Sequence, residues 1–386
     1  MARHLLVTND FPPKTGGIQV YLHELWRRLE PGRAVVLTAS SDPGAGTFDD
    51  AAGVTVERVA ATTLYLPTLQ AWRAIEAAIA RHQPDLVLLD PAWPLGLLGP
   101  WLSCPYGVVV HGAEVAIPGR LPVVASSLRH VLRHARVVIA AGSYPESEAR
   151  RNAAEFMPPV VQVPPGVDTL QFVPLSDQQR AEVRRDLGVA NETRLISSYS
   201  RLVPRKGMDT LIRASARLAA DFPTLRVMIG GAGRDRARLE RLVTKLGAPV
   251  TLLGRIPDAQ LGPWLSASDL MVLDCRSRWW GLEQEGFGIV FLNAAAAGVA
   301  QVAGQSGGSH EAVLDGVTGT VVSNPLSVTD LAAAIGTLLV DDERRHEYAR
   351  TSRELAVDRW TWDARAQRLS AELAPFDHFF DDAHLP

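Results

Sequence analysis

Short apolar runs alternate with longer amphipathic stretches along the chain. Residues 4–8, 34–38, 86–89, 107–110 and 137–140 are apolar and β-rich almost throughout, as strands buried on both faces are. Between several of them, residues 20–29, 69–82 and 123–134 carry apolar side chains at helical spacing. The alternation predicts βαβ units on a parallel sheet. A breaker-rich segment around Pro164-Pro165-Gly166-Val167-Asp168, continuing to Pro174, interrupts the pattern, which then restarts. Strands are expected at 194–199, 226–229, 250–253, 270–273 and 300–302, and helices at 208–220, 235–246, 287–297 and 328–339. This predicts two doubly wound α/β domains, without short repeats or low-complexity segments.

Trp360-Thr361-Trp362-Asp363 opens one more amphipathic helix, running to Leu373 and placed to cross back onto the first domain. The expected domains are therefore residues 1–170, completed by 359–386, and residues 171–358. The tip from Phe376 to Pro386, with Asp377, Asp381 and Asp382, is expected to be partly mobile.

Composition narrows the function. The chain has 386 residues, 47% hydrophobic and 21% charged, so it can bury two cores. Its 39 Lys and Arg against 42 Asp and Glu leave a net charge of −3, without the basic excess of a general nucleic-acid binder. Cys104 and Cys275 lie far apart, which suits a reduced, cytoplasmic protein better than a disulfide or zinc scaffold. The first apolar run is too short for a signal peptide. The most apolar later stretch, 287–304, is broken by Asn293, Gln301 and glycines, so a soluble protein is expected. Lysines occur only at 14, 206 and 245, which draws attention to one inside a motif.

Four segments carry candidate chemistry. The loop Asn9 to Val20 places Gly16 and Gly17 before the first helix, where free N–H groups can meet an anion; turn geometry alone is the alternative. It is not a P-loop, because GxxxxGK[ST] is absent. In Ser200-Arg-Leu-Val-Pro-Arg-Lys-Gly207, Arg201 and Lys206 are spaced across a proline turn so that both heads can converge on a diphosphate; a solvated basic loop is the plainer reading. Glu285, flanked by glycines ahead of an apolar helix, suits sugar hydroxyls, or else a helix N-terminus. His111 ends a strand in a glycine turn, where it would line a crevice or serve packing.

Other patterns point elsewhere. Gly304-Gln-Ser-Gly-Gly308 matches a nucleophile elbow, with a strand before and a helix expected after, but comes late for a hydrolase sheet. His130 and His134 have metal-ligand spacing without the glutamate of HExxH, and read as a solvated face. Gly230-Gly-Ala-Gly233 lacks the full GxGxxG. No DxD pair is present, which argues against a metal-held nucleotide.

Taken in order, Gly16-Gly17, His111-Gly112-x-Glu114, Pro165-Gly166-Val167-Asp168, Arg201 to Lys206, Glu285, Gly307-Gly308 and Trp360-Thr-Trp362 span nearly the whole chain. The set resembles the retaining glycosyltransferases of the E-x7-E family. Thr8 to Pro13 with Gly16 to Gln19, Ser200 to Gly207, and Gly286 to Val290 are closer to the GDP-mannose-dependent mannosyltransferases of phosphatidylinositol mannoside synthesis. The resemblance implies a GT-B fold: two Rossmann-like domains facing a cleft, with a C-terminal helix crossing back to the first. It implies that Gly16 and Gly17 touch the donor diphosphate, that Arg201 and Lys206 hold it, and that Glu285 binds mannose hydroxyls beside Phe287, Gly288 and Ile289. Ile256 would read the base through its backbone, Asn293 would meet the ribose, and His111 would lie near the anomeric carbon. Asn9, Asp10 and Glu114 fall on the acceptor side. Neither metal nor cofactor beyond the donor GDP-mannose is implied. Retention in this family is described as front-side attack, the leaving phosphate taking the acceptor proton, so that no protein nucleophile is required.

Three departures from the family stand out. Asn293 replaces the second glutamate of E-x7-E, removing a charge-assisted bond. Trp279-Trp280 replaces small residues, and Ser309-His310-Glu311 stands where Pro-Glu is usual. Between residues 116 and 151, six arginines (120, 129, 133, 136, 150, 151) face Glu146 and Glu148, a local +4. This predicts peripheral attachment to anionic lipid at the inner face of the membrane, against the alternative of a solvated helix. The expected activity is metal-independent transfer of mannose from GDP-mannose to a phosphatidylinositol mannoside-type glycolipid. The alternatives are another nucleotide sugar or acceptor, a sugar-nucleotide-binding protein with impaired turnover, or a hydrolase built on Ser306.

Overall fold

The computed structural model describes residues 2–39, 44–60 and 63–376. The expectation for the tip beyond Phe376 falls on residues 377–386, outside those described. The chain forms two compact units, one of residues 1–166 with 362–386, the other of Val167–Thr361.

The first unit holds a seven-stranded parallel sheet: β1 His4–Thr8, β2 Ala34–Ala39, β3 Thr55–Val59, β4 Leu86–Asp90, β5 Tyr106–Val110, β6 Val138–Ala140 and β7 Val160–Gln162. Their order is β3-β2-β1-β4-β5-β6-β7. His4 lies level with both Ala34 and Leu86, so β1 is central and the winding reverses between β1 and β4. Alternate side chains fill two cores, as the two-residue period of a strand demands. Leu5, Val7, Leu89 and Val108 face the helices Leu69–His82 and Pro122–His134. Leu6, Leu88 and Val109 face the helix Gly17–Trp26 and the last helix, Trp362–Leu373, through Leu22, Leu25, Trp362 and Leu369. The C-terminal helix thus packs on the first unit, as expected. Gly166 lets the chain pass it closely, since a Cβ there would lie 2.8 Å from the Trp362 backbone.

The second unit holds six parallel strands: β8 Arg194–Tyr199, β9 Leu225–Gly230, β10 Val250–Gly254, β11 Leu270–Leu273, β12 Ala300–Gly304 and β13 Gly319–Val322, ordered β10-β9-β8-β11-β12-β13. Its reversal lies between β8 and β11. The helix expected over 287–297 runs Ile289–Ala296, because Gly288 is left-handed at φ 83° and ends the preceding loop. The boundary between the units falls before Val167 rather than after 170, and after Thr361 rather than after 358. The Val167 N–H donates to the Trp360 carbonyl (2.7 Å), and Val167 bridges Thr361, which ties both stretches to the second unit. Among the described residues, no helix is long and apolar enough to cross a membrane.

Candidate functional site

In open α/β sheets, ligands bind beyond the carboxyl ends of the strands where the winding reverses. In the second unit that edge carries a buried ion-pair cluster. Lys206 Nζ lies 2.7 Å from Glu285 Oε2, with the side chains 8% and 13% exposed. Arg205 Nε reaches the same oxygen at 3.4 Å, and its Nη1 lies 3.7 Å from Glu283 Oε1. Burial opposes charge on Glu285, but the Lys206 ammonium and the Arg205 guanidinium outweigh it and hold the carboxyl below its usual range.

Local backbone explains the placement. Lys206 ends a one-turn helix, Pro204–Lys206, closed by Gly207 at φ 69°. A Cβ on Gly207 would sit 1.9 Å from the Asp274 carbonyl, so only glycine lets this turn rest on the end of β11. Gly307 and Gly308 play the same part opposite Glu285: the Gly308 N–H donates to the Glu285 carbonyl (2.9 Å), and Cβ atoms would meet the carbonyls of Glu285 and Gly286 at 2.3 and 2.2 Å. The helix Ile289–Ala296 has no side-chain cap and no acid in its first turn, so its N–H groups are not satisfied by Glu285. The helix-capping alternative for Glu285 is thereby set aside.

Phe287 is buried against Trp360, with ring centroids 5.6 Å apart. Ile256 is buried under Gly230, where a Cβ would approach its side chain to 2.3 Å. Gly231 and Gly233 press on the carbonyls of Ser200 and Leu202, so this glycine run seats the Arg201 loop rather than a dinucleotide. Asn293 is half-buried, and its amide has no hydrogen-bond partner among the described residues. Arg201 is exposed and unpaired among the described residues; the guanidinium that joins Lys206 on Glu285 belongs to Arg205, which sequence reasoning passed over. The signal was its place beside Lys206 in a motif already singled out.

In the first unit, the corresponding edge holds His111, Asp90, Thr8 and Asp10. His111 Nε2 lies 3.0 Å from Asp90 Oδ1, and Thr8 donates to Asp90 Oδ2 at 2.6 Å. Burial lowers the imidazole pKa, but the Asp90 carboxylate more than offsets this and raises it above its ordinary value. The Tyr21 ring meets the imidazole edge-on at 5.5 Å. Asp10 accepts from Gln19 Nε2 (2.9 Å), and burial together with Asp90 raises its carboxyl pKa. Gly16 precedes the first helix, where a Cβ would strike the Gln19 side chain at 2.2 Å, and Gly17 is the first residue of that helix. Lys14 donates to the Asn9 carbonyl (2.6 Å). Glu114 accepts from the N–H groups of His111 and Gly112, holding that turn. Asp90 was missed in the sequence, although an acid ending an apolar strand beside the winding reversal is itself a signal.

Of the patterns set aside, Gly304–Gly308 borders the Glu285 cluster only through its last two glycines. Ser306 is buried and meets Ser277 (Oγ–Oγ 3.3 Å); no histidine bonds to it among the described residues, and turns follow β12 where a helix was expected. His130 and His134 are exposed, and the His134 ring bonds the His130 carbonyl. Both cysteines are buried and form no disulfide, and Cys275 Sγ lies 4.0 Å from Glu285 Oε2. Among the described residues, no group of three or more His, Cys, Asp or Glu is arranged to hold a metal ion.

Comparison with known proteins agrees with this layout. Residues 179–355 match the family model described as glycosyl transferases group 1, and residues 15–171 match that of glycosyltransferase family 4. A GDP-mannose-dependent alpha-(1-6)-phosphatidylinositol monomannoside mannosyltransferase of Mycolicibacterium smegmatis is 38% identical, covering 96% of this chain and 98% of its own. The protein of the same description in Mycobacterium tuberculosis is 37% identical over 96% of this chain and 97% of its own. In fold, the chain is similar to Anabaena HepE, solved with UDP (TM-score 0.81, 22% identity, 97% and 100% of the two chains). WaaG, a glycosyltransferase involved in lipopolysaccharide biosynthesis, gives a TM-score of 0.70 at 17% identity, over 96% of this chain and 99% of its own. With its two parallel Rossmann-like sheets and returning C-terminal helix, the chain has the GT-B fold and belongs to the group 1, family 4 glycosyltransferases.

Proposed function

We propose that the protein is a retaining α-mannosyltransferase that moves mannose from GDP-mannose to a phosphatidylinositol mannoside-type glycolipid, forming an α-(1-6) linkage. The observation that carries the reading is the buried Lys206–Glu285 pair beside an uncapped helix N-terminus. A cation and helix N–H groups suit a diphosphate that leaves with negative charge, while a carboxylate held ionised suits sugar hydroxyls. The likeness to the mannosyltransferase relatives over nearly the full chain selects mannose, GDP and the glycolipid.

In this reading Lys206 and Arg201 bind the donor diphosphate, Gly16 and Gly17 offer it backbone N–H groups, and Ile256 and Asn293 meet the nucleoside. Glu285 orients the mannose with the backbone of Phe287, Gly288 and Ile289. The bond between mannose C1 and the phosphate oxygen breaks with its electron pair on GDP, and the acceptor oxygen attacks C1 from the same face. Its proton passes to the departing phosphate oxygen. Because Asp90 engages the His111 imidazole, the His111 carbonyl is taken as the support for positive charge on the sugar. Asn9, Asp10 and Glu114 border the acceptor. Catalysis then consists of charge stabilisation and positioning, without a metal.

Membrane attachment belongs to the same proposal. Leu121 and Val123 are exposed at the start of the helix Pro122–His134, which also carries Arg129 and Arg133. Arg120, Arg150 and Arg151 are paired with Glu148 or Glu146, so the attraction to anionic lipid comes from Arg129 and Arg133. In this reading the protein attaches at the cytoplasmic face of the membrane.

Calorimetric titration with GDP, UDP and ADP in EDTA, with a mannose transfer assay, tests the reading. GDP should bind most tightly without metal; Glu285→Ala and Lys206→Ala should abolish transfer, and Ser306→Ala should spare it. Absence of binding to every nucleotide, or loss of activity only on replacing Ser306, would sink it.

A further inference from the structure

Two tryptophans stand in an unusual conformation beside the Glu285 cluster. Trp279 and Trp280 have φ of 50° and 53°, the left-handed region that bulky residues rarely occupy. Trp279 is 57% exposed and Trp280 98%, so none of the described residues covers either face of the Trp280 indole. Neither the fold nor a core requires them there. A strained backbone displaying an unsupported aromatic ring is typical of a surface that something else covers.

The turn is fastened to the donor cluster. The N–H of Arg278 donates to the Glu283 carbonyl (2.9 Å) and that of Glu283 to the Arg278 carbonyl (3.2 Å), closing the turn on itself. Arg278 Nη1 lies 2.6 Å from Glu283 Oε2, and its guanidinium rests 4.6 Å from the centre of a Trp279 ring. Glu283 is linked through Arg205 to Glu285. The backbone that carries the indoles is thus held at a fixed offset from the carboxylate assigned to the mannose. Rigid attachment of this kind is needed to position a sugar, whereas a lipid anchor does not need it. The charges of the turn also balance, Arg276 and Arg278 against Glu283 and Glu285, so it lacks the basic excess that draws a loop to anionic headgroups.

We propose that Trp280, next in the chain to the Trp279–Arg278 stack, is a platform on which a polyol ring of the acceptor lies. One face of such a ring presents C–H groups to the indole while its hydroxyls remain in water. The proposal rests on the transferase reading and deepens it: part of the acceptor recognition is carried by the donor-binding unit, through residues that replace the small ones expected at these positions.

The experiment compares Trp280→Ala, Trp280→Phe and Trp280→Gly with the parent protein. Two acceptors are used, the deacylated water-soluble headgroup of phosphatidylinositol monomannoside and the same glycolipid in vesicles, and GDP affinity is measured in parallel. Trp280→Ala should raise KM for both acceptors about tenfold while GDP affinity stays within twofold; Trp280→Phe should retain most of the parent's KM. Trp280→Gly should show the same KM defect yet melt higher than the parent, because glycine adopts this φ without strain. Unchanged KM, a parallel loss of GDP affinity, or a defect confined to the vesicle acceptor would each overturn the platform, the last in favour of a membrane contact. A parent protein that binds GDP but transfers to neither acceptor would remove the transferase reading and the proposal together, an outcome distinct from an active parent whose Trp280 variants are unaffected.

Discussion

Replacing Asp274 with asparagine should free the protein of a pH-dependent loss of stability. Asp274 follows β11 directly, is 1% exposed, and has no hydrogen-bond partner on either oxygen among the described residues. Burial pushes its carboxyl from 3.8 up to about 8; Arg276 pulls it down and the carboxylate of Asp209 pushes it further up. The folded protein therefore keeps a proton that the unfolded chain releases. Stability is full below the unfolded value, falls as pH rises toward the folded one, and is fully lost above it. At 1.36 kcal/mol per pH unit, the parent loses about 3 kcal/mol between pH 5 and pH 7.5 from this group alone. Asparagine fills the same space and does not ionise. Thermal unfolding of parent and variant at both pH values isolates the effect, because every other group titrates alike in the two proteins. The variant's advantage should grow by about 3 kcal/mol between the two, roughly 6–12 °C in melting temperature for a unit of this size. A gap that stays constant with pH would refute the reasoning, since it would mean that Asp274 ionises as easily in the folded state as in the unfolded.

Two further outcomes are expected. Asn293→Glu restores an acid on a half-buried helix face where the amide now has no partner; GDP should bind about 5- to 20-fold more tightly, from one charge-assisted bond to the ribose, and calorimetry showing equal or weaker binding would refute this. Arg353 donates to the carbonyls of Phe172 (2.9 Å), Ala296 (2.6 Å) and Thr169 (3.4 Å), closing the C-terminal end of the helix Ile289–Ala296. Arg353→Ala should cost about 2–3 kcal/mol in urea unfolding, and a loss below about 0.5 kcal/mol would show that water replaces the guanidinium without penalty.

The central strands were legible because they are short buried runs built on apolar residues, so β1, β8 and β11 were read to the residue. Of the edge strands, β10 was read to within a residue, but β3, β7 and β13 were not. Thr55–Val59 carries Glu57 and Arg58 on its opposite faces, and Val160–Gln162 and Gly319–Val322 are too short to show a period. The helix Asp342–Arg359 escaped for another reason: its buried face, Arg345, Tyr348, Ser352 and Ala356, has helical spacing but is mostly polar. In the site, Lys206 and Glu285 could be found because glycines mark them. Asp90 and Arg205 could not be ranked without knowing which strand ends are neighbours, since their roles come from partners 21 and 80 residues away.

The return of Trp362–Leu373 to the first sheet sets the order in which the chain can fold. A ribosome delivers residues 1–166 first, yet Leu6, Leu22, Leu25 and Trp26 lack the side chains of Trp362, Ala366, Leu369 and Leu373 until the entire second unit has emerged. The usual advantage of N-terminal-first synthesis, in which each unit completes its core before the next appears, does not apply here. The first unit waits with an apolar face open through the synthesis of Val167–Thr361, and its completion reports that translation has passed the second unit.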